Sequence, residues 1–248
     1  MPSTVARANV RVRKMGRRAR LVVHRRVLQV PQRVACTVCT WSGSRFAADA
    51  HGRKDRLCPS CGSSERDRAL ALELRRRGPV ASGVRLLEVA PIGLVERIAE
   101  ELGYEHHSVD LFSPRAEVRA DLCSLPFADG SIDLAVCFHV LEHIPEDRAA
   151  ARELARVLRP GGEALVVVPF ASTWPETFED PDTPPEDRER VYGQSDHVRI
   201  YGTDVTARWR EAGVAVDESV WTDRFTPDEH ASARITGHDD RFWILRPS

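Results

Sequence analysis

From residue 84 to residue 170 two hydrophobic patterns take turns. Short apolar runs read as buried strands, and longer stretches with an apolar residue every third or fourth position read as helices. Val84 to Ala90 predicts a strand, and Pro91 to Leu102 predicts a helix that Gly103 stops. Glu105 to Leu111 predicts a second strand, and a short segment, Val118 to Leu122, precedes Leu125-Pro-Phe127. Ser131 to Phe138 predicts a third strand, ending at His139-Val-Leu-Glu-His143. Pro145 then opens a helix over Glu146 to Leu158, and after Arg159-Pro-Gly-Gly162 the run Glu163 to Val168 predicts a further strand. Strands and helices in this order predict an α/β domain with a mostly parallel sheet and helices on both faces. Acidic residues recur at the strand ends, and Asp110 lies 22 residues after Glu88, the spacing at which a nucleotide-binding fold offers a carboxylate to a ribose.

The flanks carry weaker signals. Ser64 reads as the N-cap of a helix with Asp67 at its third position, running to Arg77 and ended by Gly78-Pro79. Residues 169–202 hold four prolines beyond Pro169, a dense acidic stretch from Glu176, and no regular pattern; a connection of this length reads as a substrate lid. Thr203 is the expected N-cap of a helix to Ala212. Val214 to Val220 and Phe242 to Leu245 are the last expected strands, the latter antiparallel.

The net charge of −1 conceals an asymmetry that changes the domain picture: eleven Arg or Lys and no acid up to residue 48, then 25 basic and 37 acidic residues. Residues 1–33 thus read as a basic arm, packed on the protein's own acidic surface or, alternatively, touching RNA or anionic lipid. No apolar run is long enough to span a membrane, and a soluble, cytoplasmic protein is expected. Cys123 and Cys137 sit beside apolar segments and read as core residues.

The remaining four cysteines form two C-x2-C knuckles, Cys36-Thr-Val-Cys39 and Cys58-Pro-Ser-Cys61-Gly62, separated by 18 residues. That is the spacing of a tetrahedral four-thiolate zinc site, full in its coordination and hence structural. Trp41 and Phe46 are expected to form its hydrophobic plug. The expected order is a basic arm over 1–33, a zinc ribbon over 34–64 and an α/β domain over 65–248.

The string ADLCSLPFADGSIDLAVCFHVLEHI, followed by RELARVLRPGGEALVVVP, resembles class I S-adenosylmethionine-dependent methyltransferases. The segment CPSCGSSERDRALALEL resembles the front of a subgroup that joins a short zinc ribbon to this Rossmann-like seven-stranded core. The resemblance implies S-adenosylmethionine as cofactor, with Glu88 toward its methionine part, Asp110 toward its ribose, and Asp121 with Leu122 toward its adenine. Ala90, Pro91, Gly93, Leu111 and Phe138 complete the implied pocket. One departure stands out: the turn after the first strand is Glu88-Val-Ala-Pro-Ile-Gly93, where the family has a glycine-rich turn.

Methyl transfer needs an acceptor held in line with the methyl and, for protonated acceptors, a base. His139, His143 and His197 are the candidates, with Glu142, Asp196 and Tyr201 beside them; each histidine also reads as a hydrogen-bonded structural residue. There is no Asn-Pro-Pro-Tyr-type segment after the central strand, which speaks against a nucleobase nitrogen as acceptor. The expected function is methylation of a small-molecule or sugar- or lipid-linked acceptor. The alternatives are an RNA methyltransferase docking through ribbon and arm, and a binding module that keeps the fold without turnover.

Overall fold

The computed structural model describes residues 34–50, 52–235 and 241–248; the arm expected over 1–33 lies outside them. In chain order the elements are β1 (Val34–Ala35), β2 (Ser42–Gly43), α1 (Glu65–Arg77), β3 (Arg85–Val89), α2 (Val95–Leu102), β4 (Glu105–Asp110), β5 (Val118–Arg119) and β6 (Ile132–Phe138). They continue with α3 (Asp147–Val157), β7 (Leu158–Val167), β8 (Phe178–Glu179), α4 (Arg188–Tyr192), β9 (Arg199–Ile200), α5 (Val205–Glu211), β10 (Ala215–Val220), α6 (Pro227–Ala233) and β11 (Arg241–Arg246). The described residues form two compact units, 34–72 with 225–235 and 73–224 with 241–248.

In the larger unit seven strands pair in the order β10-β11-β7-β6-β3-β4-β5. β3, β4, β5, β6 and β7 are parallel, and β11 is the reversed strand, antiparallel to both β7 and β10. The apolar runs of β3, β6 and β7 are almost fully buried, as a sheet covered on both faces requires. Leu87, Ile132, Ala135, Leu154 and Val166 lie at the centre of the core, and Trp209 and Trp243 cross edge-on at 5.9 Å within it. From β3 the chain winds outward through β4 to β5, then returns to the other side of β3 as β6. The carboxyl ends of β3 and β6 therefore flank a point where the winding reverses, the place where open α/β sheets leave a crevice.

Several boundaries differ from the sequence expectation. α2 begins at Val95 and not Pro91, because Pro91-Ile-Gly93 makes a turn in which Gly93 adopts φ +77. β7 begins at Leu158; Ile132 pairs with Leu158 and Leu134 with Glu163, so Arg159 to Gly162 bulge out of register within the strand. α5 begins at Val205 with Asp204 at its N-cap, and the Thr203 hydroxyl instead donates to the Pro175 carbonyl (3.3 Å). Residues 169–202 are more ordered than expected, with β8 and β9 paired antiparallel, a 3₁₀ turn at Pro185–Asp187, and α4.

The smaller unit contains the hairpin β1-β2, the start of α1, and α6. Phe46 is buried, with the Trp41 ring 5.6 Å away. Arg68 organises the unit from within: fully buried, it donates to the carbonyls of Ala233 (2.6 Å), Ser63 (2.8 Å) and Arg56 (3.1 Å), and its guanidinium lies 3.8 Å over the Phe46 ring. Helix α6 was not anticipated from the sequence. Its signal was present, since Thr226-Pro-Asp-Glu229 forms a capping box with proline in the first turn.

Candidate functional site

Two knuckle turns bring the four ribbon cysteines together. The Thr40 N–H donates to the Cys36 carbonyl and the Gly62 N–H to the Cys58 carbonyl, so the knuckles repeat one geometry. The residue after each second cysteine has positive φ, +58 at Thr40 and +80 at Gly62. Sγ of Cys36 lies 3.7 Å from that of Cys61, and Sγ of Cys39 lies 3.6 Å from that of Cys58. All four sulfurs fall within 4.8 Å of one another. A tetrahedron with Zn–S bonds of about 2.3 Å has edges of about 3.8 Å, so the residues fit a tetrahedral ion. The Ser63 hydroxyl, fully buried, stands 3.2 Å from both Cys36 and Cys61. Neighbouring thiols Cys36 and Cys61, together with burial, push Cys58 far above the ordinary thiol range; a dication among the sulfurs would reverse that preference.

In the larger unit a cavity of about 580 Å³ opens at the carboxyl ends of β3, β4 and β6. Ala90 and His139, the residues immediately past β3 and β6, both line it and both carry positive φ, +56 and +57. Such strain in residues other than glycine costs of order 1–3 kcal/mol and concentrates at functional sites.

One end of the cavity is acidic. Asp110 ends β4, and its Oδ1 accepts the N–H groups of Phe112 (2.7 Å) and Ser113 (2.6 Å), which orients the carboxylate and leaves Oδ2 without a partner. Asp121 accepts the Cys123 N–H (2.8 Å) in the same local manner. Ala90, Leu111 and Leu122 also line this end, whereas Glu88, Pro91, Gly93 and Phe138 are not part of the wall. Glu88 is buried; His106 Nε2 is 2.9 Å from its Oε2, and the Ile92 N–H reaches Oε1 at 3.3 Å. Phe138 packs against Trp221. Burial, reinforced by Asp121, pushes the Cys123 thiol up to about 11, so this cavity residue is no thiolate at neutral pH, and burial likewise raises Cys137 in the core.

The other end carries the histidines. His139 Nδ1 lies 3.1 Å from Oε1 of fully buried Glu142, while His139 Nε2 and Glu142 Oε2 are buried without partners among the described residues. His143 lines the cavity, and its Nδ1 faces the Asp196 carbonyl (3.2 Å) and carboxylate (3.3 Å). The buried His197 ring packs edge-on against His143 at 4.7 Å, and its Nδ1 has no partner. Burial lowers the His197 pKa, keeping the ring neutral at pH 7.

Behind these histidines lies a buried ion-pair network that the sequence reading missed. Arg208 pairs in bidentate fashion with Asp147 (2.7 and 2.9 Å) and also with Glu179 (2.8 and 2.9 Å). Arg199 donates to Glu179 (2.8 Å) and to the carbonyls of Leu141 (2.9 Å) and Pro145 (2.8 Å), on the turn that holds Glu142 and His143. Burial alone would raise Asp147 and Glu179, yet the arginines hold both carboxyls below their ordinary range. Tyr201, counted among the site candidates, is fully buried and donates to Asp147 (2.9 Å); burial and that carboxylate push its pKa well above the usual value. Tyr201 belongs to the network.

Residues 93–166 match the family model described as "Methyltransferase domain". Among solved structures, the YcgJ protein from Bacillus subtilis superposes with a TM-score of 0.50 at 19% identity, covering 73% of this chain and 98% of that one. An S-adenosylmethionine-dependent methyltransferase from Mesorhizobium loti gives a TM-score of 0.50 at 17% identity, over 71% and 96%. The larger unit has the Rossmann-like class I methyltransferase fold. Curated relatives match the sequence over short stretches. One from Mycolicibacterium smegmatis, named "Probable S-adenosylmethionine-dependent methyltransferase", is 39% identical over 77 residues, and an "Uncharacterized methyltransferase" from Mycobacterium sp. (strain JLS) is 49% identical over 49. The alignments cover 31% and 20% of this chain, and the chain spans only 30% and 19% of those relatives' lengths. Within the methyltransferase fold, Ala90, Asp110, Leu111, Asp121, Leu122, His139 and His143 share the cavity wall. No helix among the described residues is long and apolar enough to cross a membrane.

Proposed function

We propose that the protein is an S-adenosylmethionine-dependent methyltransferase acting on a small-molecule acceptor, sugar- or lipid-linked intermediates included, with a structural Zn²⁺ held by Cys36, Cys39, Cys58 and Cys61. The observation that carries this reading is the cavity at the β3/β6 switch point, with an oriented carboxylate at one end and an oriented imidazole at the other. The free oxygen of Asp110 suits the hydroxyls of a ribose, and Asp121 with Leu122 suits an adenine edge. When bound, S-adenosylmethionine would supply an electrophilic methyl on a sulfonium, with a neutral thioether as leaving group. Ala90 at positive φ brings the backbone after β3 close to the cavity without a glycine. Glu88 supports this turn from below by accepting the Ile92 N–H, with His106 on its other oxygen, and does not line the cavity.

His139 is the proposed base. Glu142 accepts its Nδ1–H, a bond that assigns the tautomer and leaves the Nε2 lone pair to take a proton from an acceptor hydroxyl or amine. Calorimetric titration of the zinc-loaded chain with S-adenosylmethionine and S-adenosylhomocysteine, on wild type and Asp110→Ala, tests the reading. Micromolar binding in the wild type that is lost in the variant is expected; a wild type that takes up neither molecule sinks the proposal.

A further inference from the structure

Three groups outside the cofactor end of the cavity converge on one point: the Glu142 carboxylate and the imidazoles of His143 and His197. One ligand atom from each lies within 4.8 Å of the others. Proximity alone would be ordinary, but two of the three show unmet demand. Among the described residues the Oε2 of fully buried Glu142 has no partner, and neither does the Nδ1 of His197, which is 6% exposed. A buried polar atom without a partner is costly, and two such residues beside a third ligand group indicate something that satisfies them.

We infer that Glu142, His143 and His197 bind a divalent first-row transition cation at the acceptor end of the cavity. Two imidazoles with one carboxylate are a donor set for such ions, and three protein ligands leave coordination positions open. The remaining atoms of the ligands are already held as outer partners of a metal site are. The Asp196 carboxylate and carbonyl fix His143 through Nδ1, leaving its Nε2 for the ion. His139 Nδ1 holds the second oxygen of Glu142. The three ligands come from two segments that are clasped together. The Val198 N–H donates to the Glu142 carbonyl (2.9 Å), and Arg199 ties the strap to the turn beside it. His143 lines the cavity, so the open positions of the ion face the space assigned to the methyl acceptor. Resting on the methyl-transfer reading, this assigns the acceptor to the class that presents an oxygen donor to a metal, a hydroxyl or phenol, over an amine.

The test is calorimetric titration of Co²⁺ into the full chain already loaded with Zn²⁺ at the four cysteines, with absorbance recorded in parallel. One Co²⁺ per chain, bound without the intense thiolate-to-cobalt bands, is the expected result. His197→Ala and His143→Gln should each weaken that binding at least tenfold while S-adenosylhomocysteine still binds with wild-type affinity. That second titration also shows that the variants remain folded, and His143→Gln, at a half-exposed position, carries the test if His197→Ala fails to fold. Wild type that binds S-adenosylhomocysteine but no second metal overturns the inference, as does Co²⁺ affinity unchanged in His143→Gln. Co²⁺ uptake lost in the variants, from a chain that binds no S-adenosylhomocysteine, upholds the ion site and removes the methyl-transfer reading instead.

Discussion

The two ends of the cavity are built by opposite means. At the acidic end each carboxylate is set by its own neighbours: Asp110 by the N–H groups two and three residues on, and Asp121 by the N–H two residues on. At the histidine end only the His139–Glu142 contact is local, three residues apart. His197 reaches His143 from 54 positions further along the chain, and the strap that carries it is held down by Arg199 and Arg208 through Asp147 and Glu179. The acidic end can be changed without disturbing the fold, whereas the histidine end and the stability of the larger unit rest on the same buried charges.

Arg208→Ala should have the largest effect. It strands the buried carboxylate of Asp147 and frees the more exposed Glu179, and breaking a buried pair from one side costs about 3–5 kcal/mol, or about 10 °C in melting temperature for a unit of this size. Scanning calorimetry reads it, and a melting point within 2 °C of wild type would erase the contrast between the two ends. Acid comes next. Because Asp147 and Glu179 have folded-state values below the ordinary carboxylate range, their stabilisation is complete above the unfolded values of about 4 and is lost as pH falls through the lower folded values. The melting temperature should thus fall steeply below about pH 4 in wild type and more gently in Arg208→Ala. At the acidic end, Asp110→Asn keeps the turn's acceptor but removes the charge; S-adenosylhomocysteine affinity should drop about tenfold, about 1.4 kcal/mol, with the melting temperature unchanged. Ala90→Gly should give the smallest change, a gain of about 0.5–1 kcal/mol in denaturant unfolding, as relief of the positive φ outweighs glycine's entropy.

The same contrast explains what the sequence reading reached. Strand ends, helix stops and the cysteine knuckles depend on residues a few positions apart, and there the expected β3, β4, β6, α3 and the reversed β11 match the structure. The spacing from Glu88 to Asp110 located Asp110, but not the pairing of Glu88 with His106, because alternation along β4 says nothing about which polar residue meets β3. Arg199, Arg208, Asp147 and Glu179 look in the sequence like any charged surface residues; the burial of the first three, and their pairing with Glu179, follows from the folding of 169–202 against the turn at Leu141–His143, a tertiary event without a local pattern. The capping box at Thr226 was legible and went unread.

β11 lies between β10 and β7 although it is the last strand in the chain. During synthesis, then, β7 and β10 have no common partner until residues 241–246 have left the ribosome, and each exposes an unpaired edge. The contacts that join β11 to the sheet are distant in sequence, from Leu165 to Ile244 and from Glu163 to Arg246. A chain cut before residue 241 would therefore keep two strand edges open to pairing with other molecules.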